Sequence, residues 1–531
     1  MKTLLVRASL LLSLIALGCD SNETTHTDVA APDYYQEMHR PQIHFSPEAH
    51  WMNDPNGMVY YEGEYHLFYQ YYPDSTVWGP MHWGHAVSTD LVTWEHLPTA
   101  LYPDDLGYIF SGSAVIDWNN TSGLQKGEHP PMVAIFTQHL ASGEKAGRDD
   151  FQTQGIAYSH DKGRTWEMYE GNPIIPNTGI KDFRDPKVFW HKETEKWIMI
   201  LAAGDKVKLY ASPNLREWTF LSDFGATFGA HGGVWECPDL FKLKAEGTDD
   251  EKWVMLVSIN PGGPNGGSAT QYFIGDFDGK SFTTSQAEND IKWLDYGRDN
   301  YAGVSWSDVP EADGRRLFIG WMSNWDYAQV VPTEKWRSAM TIPRSLHLIK
   351  TADGYQVASR PVSELQRLAV DNLSFGAAGL DEDAVFSLNT SDNKVIKAPF
   401  RTEIIFDAAK TTSSEYGLIL RNPSGDQYRI SLSGGHIWSD RTNAGKKDFE
   451  PRFARGPHQG GKVMPDARGE IRLEVFFDTS SAEIFVNNGQ VVMTDLLFPN
   501  SDFHEVYLYT LDGQLEIKRF KTTELKSIWQ D

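Results

Sequence analysis

Three short motifs carry acidic residues in settings suited to bond cleavage: Asp54 in "WMNDPNG", Asp185 in "RDP" and Glu236 in "ECPDL". Two carboxyl groups suffice to hydrolyse a glycosidic acetal. One attacks the anomeric carbon and the other protonates the departing oxygen, across about 5 to 5.5 Å when the configuration is retained. On that chemistry Asp54 is expected to be the nucleophile and Glu236 the acid/base, with Asp185 gripping sugar hydroxyls as the ring becomes oxocarbenium-like. Asp54 and Asp185 should disfavour a charge on Glu236, and Arg184 should oppose them. Taken singly the motifs say little. Asn-Asp-Pro-Asn-Gly is what a tight turn is made of, "RDP" is shorter still, and "ECP" equally suits a buried cysteine beside a helix N-cap.

The three acids lie 131 and 51 positions apart, so a scaffold must bring them together. Five strand pairs can be drawn: "MVYYEGEYHLFYQYY", "SAVIDWNN" with "PMVAIFTQH", "KVFWHKETEKWIMILAA", "DLFKLKAEGTDDEKWVMLVSI" and "VSWSDVPEADGRRLFIGWMS". Each shows strand alternation, β-branched and aromatic enrichment and a polar turn. A second signal runs through "GHAVSTDLVTW", "GIAYSHDKGRTW" and "KLYASPNLREW", where a strand closes on Ser88, Ser159 or Ser212 and a Trp follows; "YFIGDFDGKSF" is a weaker fourth copy. Such repeats at irregular spacing fit propeller blades with variable loops. The expected fold is all-β, with a five-bladed β-propeller over residues 38–349. Propeller blades put their first strands around one axis. The pairs begin at "NDPNG", "FSGS", "RDP", "ECPDL" and "DYGRDNYA", so these starts, with Asp54, Ser113, Asp185, Glu236, Asp299 and Tyr301, should meet at one funnel mouth.

Residues 350–370 are expected to be a linker. From residue 371 to 531 short strands such as "YGLILRN", "IRLEVFFD" and "SAEIFVNNGQVVMT" read as a β-sandwich, with Asn488-Gly489 a hairpin turn. At the other end Lys2 and Arg7 precede an apolar run closing on "ALGC", too short for a membrane span. Residues 1–18 read as a secretion signal and Cys19 as a lipidated first residue, followed by a polar tether over 19–37. The protein is thus expected to be exported and held to a bacterial membrane only through that lipid. With Cys237 the one other cysteine, the mature chain has no internal disulfide available.

Aromatic residues make up 13% of the chain, including 18 Trp, and the formal net charge is -24. That charge repels phosphate backbones, which excludes nucleic acid as a partner. Abundant Trp and Tyr suit neutral polyhydroxylated ligands instead.

"WMNDPNG", "FSGS", "RDP" and "EC" in this order resemble glycoside hydrolase family 32, the levanases, inulinases and invertases, from about Arg40 to the C-terminus. The resemblance implies a five-bladed propeller followed by a β-sandwich, no cofactor and no metal. It gives Asp54 as nucleophile, Asp185 as transition-state stabiliser and Glu236 as acid/base. It also places Asn53, Gln70, Trp78, Phe110, Ser113, Arg184 and Trp321 in a fructose pocket. "YHLFYQYYP" and "WGPMHWGHAVSTDLVTWEHLPTALYP" look most like bacterial levanases that remove terminal fructose. Packing roles compete for several of these residues: Trp78 and Trp321 could be blade core, and Gln70 could satisfy a strand edge. His82 and His85 are read as structural, since no carboxylate is spaced to complete a metal site. The implied activity is a retaining, exo-acting β-fructofuranosidase on levan, inulin and sucrose. The alternatives are an endo-levanase, a fructosyltransferase and a non-catalytic glycan-binding lipoprotein.

Overall fold

The computed structural model describes residues 34–388 and 397–529. Cys19 and the signal segment lie outside the described residues. Five sheets of four or five strands, antiparallel apart from one parallel edge pair in the first, follow one another, and then two larger sheets of seven and six strands. The architecture is a five-bladed β-propeller followed by a β-sandwich.

The first strands of the five blades are His50–Tyr61, Tyr108–Ile116, Phe183–His191, Val234–Lys244 and Tyr301–Ser305. Each touches the next, and the fifth returns to the first, so they close a ring about one axis. A late segment latches the ring: Trp336 and Arg337 pair in parallel with His50 and Trp51 of the first blade. The Trp repeat marks the turn after the third strand of a blade. There Asp90 Oδ1 accepts the Val92 and Thr93 amides, Asn214 Oδ1 those of Arg216 and Glu217, and Asp278 Oδ1 those of Lys280 and Ser281. A side chain that bonds its own backbone in this way specifies a turn, and its recurrence in the first, third and fourth blades is why the repeat is visible in the sequence.

Two boundaries differ from expectation. Residues 350–370 are not a linker: Gly354–Pro361 pairs along its whole length with Arg344–Thr351 as the edge of the fifth blade, and Ala369–Phe375 already belongs to the sandwich. "GYQVASRP" alternates well enough for an edge strand, which is where its proline is tolerated. The end of the expected tether is also folded. Tyr35 stacks on Trp529 at 3.9 Å and hydrogen-bonds His96, and Glu37 pairs with the buried Arg40.

The two domains are joined by buried polar contacts. Arg344 of the propeller bonds Glu483 of the sandwich and Asp295, Arg441 of the sandwich donates to Asp299 at 2.6 Å, and His44 lies between Asp478 and Glu483 at 2.7 and 2.8 Å. Burial opposes a charge on His44, but the two carboxylates outweigh it and push its pKa up to about 9. Asp299 therefore faces the sandwich and not the funnel.

Candidate active site

All five inner strands share one local device. Each carries a residue pair followed by Pro or Gly: Asn53-Asp54-Pro55, Phe110-Ser111-Gly112, Arg184-Asp185-Pro186, Glu236-Cys237-Pro238 and Tyr301-Ala302-Gly303. At each of these the ladder to the neighbouring strand shifts register. A β-bulge re-aims side chains, and proline is admitted where a ladder donor is not needed. In three consecutive blades the second residue of the pair takes a positive φ: 66° at Asp185, 45° at Cys237 and 52° at Ala302. A non-glycine residue held there stores strain of about 1–3 kcal/mol, which the Thr137 hydroxyl bonded to the Asp185 amide and the Ser258 hydroxyl bonded to the Ala302 amide help to hold.

The result is two tiers. Asp54, Ser111, Asp185, Cys237 and Ala302 are buried toward the axis, while Phe110, Arg184 and Glu236 remain half-buried above them. In the lower tier Ser111 Oγ donates to Asp54 Oδ2 at 2.7 Å, and Cys237 Sγ lies 3.5 Å from the same oxygen and 3.6 Å from Asp185 Oδ2. The Cys237 amide donates to Asp185 at 3.0 Å, and Asn53 Nδ2 to Asp54 Oδ1 at 3.0 Å. Asn53 is itself oriented by the Trp51 indole N–H at 2.7 Å. In the upper tier Arg184 donates to Glu236 Oε1 at 3.1 and 3.3 Å and to Asp182 at 2.8 Å, and the Tyr301 hydroxyl donates to Glu236 Oε2.

The electrostatics follow from burial. Burial first, then the Glu236 charge, pushes the Asp54 carboxyl above the usual carboxylate range, and donors from Ser111, Asn53 and Cys237 pull it back. Asp185 is pushed up to about 7, chiefly by burial; Arg184 opposes this, while Glu236 and Asp54 add to it. Burial also lifts the Cys237 thiol well above its ordinary value, with the Asp185 and Asp54 charges adding, so it is a neutral donor between the two acids.

Aromatic side chains pack around the two tiers, two of them half-buried and one, Trp321, within the core. Trp78 meets Phe110 edge-to-face at 6.0 Å, and Phe110 stacks on His139 at 4.2 Å. Trp321 is fully buried against Trp51, Tyr301 and Trp325, and its indole N–H finds no acceptor among the described residues. Beneath the carboxylates, Pro55, Pro186, Pro238 and Val304 enclose a cavity of only about 10 Å³. That holds about one water at most, so the funnel is floored.

Two expected pocket residues do other work. Ser113 donates to the Pro186 carbonyl at 2.9 Å and accepts the Val188 amide at 3.0 Å, stitching the second blade to the third. Within "FSGS" the serine that reaches Asp54 is Ser111, because the register shift between Ile109 and Gly112 turns it inward. Gln70 is buried and donates to the Ile109 carbonyl at 2.9 Å, a strand-edge role between the first two blades. Sequence reasoning also passed over the bridging of Cys237 and the contact of Tyr301 with Glu236. The Pro or Gly after every pair is the signal that would have aligned all five. His85 stacks on Phe68 at 4.0 Å and His82 bonds the Pro80 carbonyl at 2.9 Å.

The chain matches the profile of the glycosyl hydrolases family 32 N-terminal domain over residues 44–361 and of the family 32 C-terminal domain over residues 378–525. It is 48% identical over 510 residues to a levanase of Bacillus subtilis (strain 168), covering 94% of this chain and 72% of that protein. The crystal structure of an exo-inulinase from Aspergillus awamori superposes with a TM-score of 0.84 at 36% identity, over 93% of this chain and 100% of the other. A fructofuranosidase from Schwanniomyces occidentalis complexed with fructosylnystose gives 0.83 at 32% identity, over 93% and 99%. With both profiles matched in order and the carboxylates gathered at one funnel, this chain belongs to glycosyl hydrolase family 32.

Proposed function

We propose that the protein is a retaining β-fructofuranosidase that removes fructose from the ends of fructans, levan or inulin, and also cleaves sucrose. The observation that carries this reading is the different setting of two acids on one funnel. Asp54 is buried and accepts donors from Ser111, Asn53 and Cys237, whereas Glu236 stands half-buried above it, held by Arg184 and Tyr301. An anion wrapped in donors is fixed for attack, and an acid at the mouth can reach a leaving oxygen.

In the first step Glu236 gives its proton to the glycosidic oxygen as Asp54 attacks C2 of the fructosyl ring, forming an ester and releasing the shortened chain. In the second, Glu236 takes a proton from water, which displaces Asp54 and restores the β-configuration. Asp185, fixed by the Cys237 amide, takes hydrogen bonds from ring hydroxyls that tighten as positive charge develops. Asn53, Arg184, Trp78 and Phe110 shape the pocket with the buried Trp321 packed behind them, and its closed floor favours a chain end over a chain middle.

Relatives named as extracellular enzymes accord with export. We extend this to a lipid anchor on Cys19, resting on "ALGC" alone. Cys19→Ala should move the protein from the membrane to the soluble fraction; a wild-type chain that is already soluble and begins beyond residue 19 would remove the anchor from the account.

Incubating the purified protein with sucrose, inulin and levan and separating the products tests the activity. Free fructose from the first minutes is expected. An early ladder of oligosaccharides would mean an endo-levanase, and growing oligosaccharides from sucrose a fructosyltransferase.

A further inference from the structure

At the end of the propeller opposite the carboxylates lies a basin of about 830 Å³, lined by the far ends of the second to fourth inner strands, Ile116, His191 and Leu243, and by the loop after Ser305. That volume falls in the range of small-molecule sites. Lys187 separates it from the catalytic funnel, lining both the basin and the small cavity under Asp185, with its ammonium bonded to the Ser305 carbonyl and 3.7 Å from Asp239.

Trp118 stands on the rim. It is 58% exposed, yet its indole N–H donates to Asp308 at 2.8 Å and its ring meets Tyr61 edge-on at 5.8 Å. Asp308 is in turn held by the Ile116 amide at 3.0 Å. An aromatic face that is both rigid and uncovered is ready to receive a flat partner without losing side-chain entropy. Trp190, half-buried and braced edge-on by Trp197 at 5.1 Å, supplies a second aromatic surface in the same basin.

The lining charges, several of them paired with one another, argue against an ionic ligand. Five cationic and five anionic side chains face the basin, in a chain whose net charge is -24. Such a balance offers no net attraction to an ion but presents donors and acceptors side by side, as a neutral polyhydroxylated ring requires. We propose that this basin is a second carbohydrate site, which holds a stretch of neutral oligosaccharide while the other mouth cuts a chain end. The choice of fructan as that oligosaccharide rests on the function proposed above.

The test is native gel electrophoresis of the full chain carrying Asp54→Ala, run through levan with excess free fructose occupying the catalytic pocket. Retardation should persist with fructose present, and adding Trp118→Ala should raise the apparent Kd for levan at least about tenfold, the scale of losing one anchoring aromatic. Trp190→Ala, made separately, should act in the same direction. On an Asp54 background, Trp118→Ala should leave sucrose hydrolysis unchanged, which also establishes that the variant folds. No retardation in the parent, retardation abolished by fructose, or equal retardation of all variants would each overturn the proposal. If levan is retained but the native chain releases fructose from no substrate, the basin stands and the fructosidase reading falls; the reverse pattern leaves the activity and removes the basin.

Discussion

The hydroxyl of Tyr301 donates to one carboxylate oxygen of Glu236 while Arg184 holds the other, so the acid is fixed from both sides. Tyr301 is itself buried, and its ring packs against Trp321 at 6.3 Å. Tyr301→Phe keeps the packing and removes one of the two restraints. Its expected effect is a fall in kcat of up to about 100-fold, the cost of an acid displaced by an ångström or so, with KM little changed. A rise in KM with kcat intact would place Tyr301 in substrate binding instead.

Asp54 and Glu236 should fail differently. Asp54→Ala and Glu236→Ala are each expected to lower turnover of sucrose at least about 10²- to 10⁴-fold. An aryl fructoside, whose leaving group departs without a proton, should recover part of the lost rate of bond cleavage in the Glu236 variant and none in the Asp54 variant. Equal recovery in both would exchange or dissolve the assigned roles.

Ser111 and Ser113 separate the funnel from the frame. Ser111→Ala removes the 2.7 Å donor to Asp54, and a hydrogen bond to a charged group is worth about 1.5–3 kcal/mol, so kcat/KM should drop by about 10- to 150-fold. Ser113→Ala unties two blades and should lower Tm with kcat/KM near the wild-type value. Steady-state kinetics beside thermal melts distinguish the two, and the opposite pattern would restore Ser113 to the pocket.

Asp185 should cost stability at the pH where it serves. Its pKa, about 7 in the fold against about 3.8 for an ordinary Asp, means that the native state binds this proton more tightly than the unfolded chain. The Asp185 contribution is therefore most favourable below about pH 4, declines as pH rises, and is fully unfavourable above about pH 7. Asp185→Asn, inactive but still able to accept the Cys237 amide, should melt higher than wild type at pH 8, by a ceiling of about 4 kcal/mol, and the gap should close near pH 4. A gap that does not change with pH would show that Asp185 carries its charge without strain.

The three funnel acids were legible in the sequence because each opens a strand pair, and strand pairs of a propeller share an axis whatever their separation along the chain. The Trp repeat was legible for a local reason: in the first four blades an Asp or Asn turn closes the third strand through bonds to its own backbone. What escaped depended on register or on distant partners. Ser111 and Ser113 are two residues apart in one motif, and only the bulge decides which meets Asp54. "GYQVASRP" lies beside a domain boundary, where a short alternating strand looks like connection. The contacts of His44 with Asp478 and Glu483, across more than 430 residues, leave no mark in local pattern at all.

The central claim is that Asp54 forms a fructosyl ester and Glu236 directs water to the same face the leaving group vacated, one chain end at a time. Carbon-13 NMR of levan hydrolysis, recorded faster than the product mutarotates, tests retention and chain-end attack together. The account predicts β-fructofuranose as the first resolved product, rising from time zero while the polymer shortens slowly. An α-anomer appearing first, or oligosaccharide signals preceding free fructose, would contradict it.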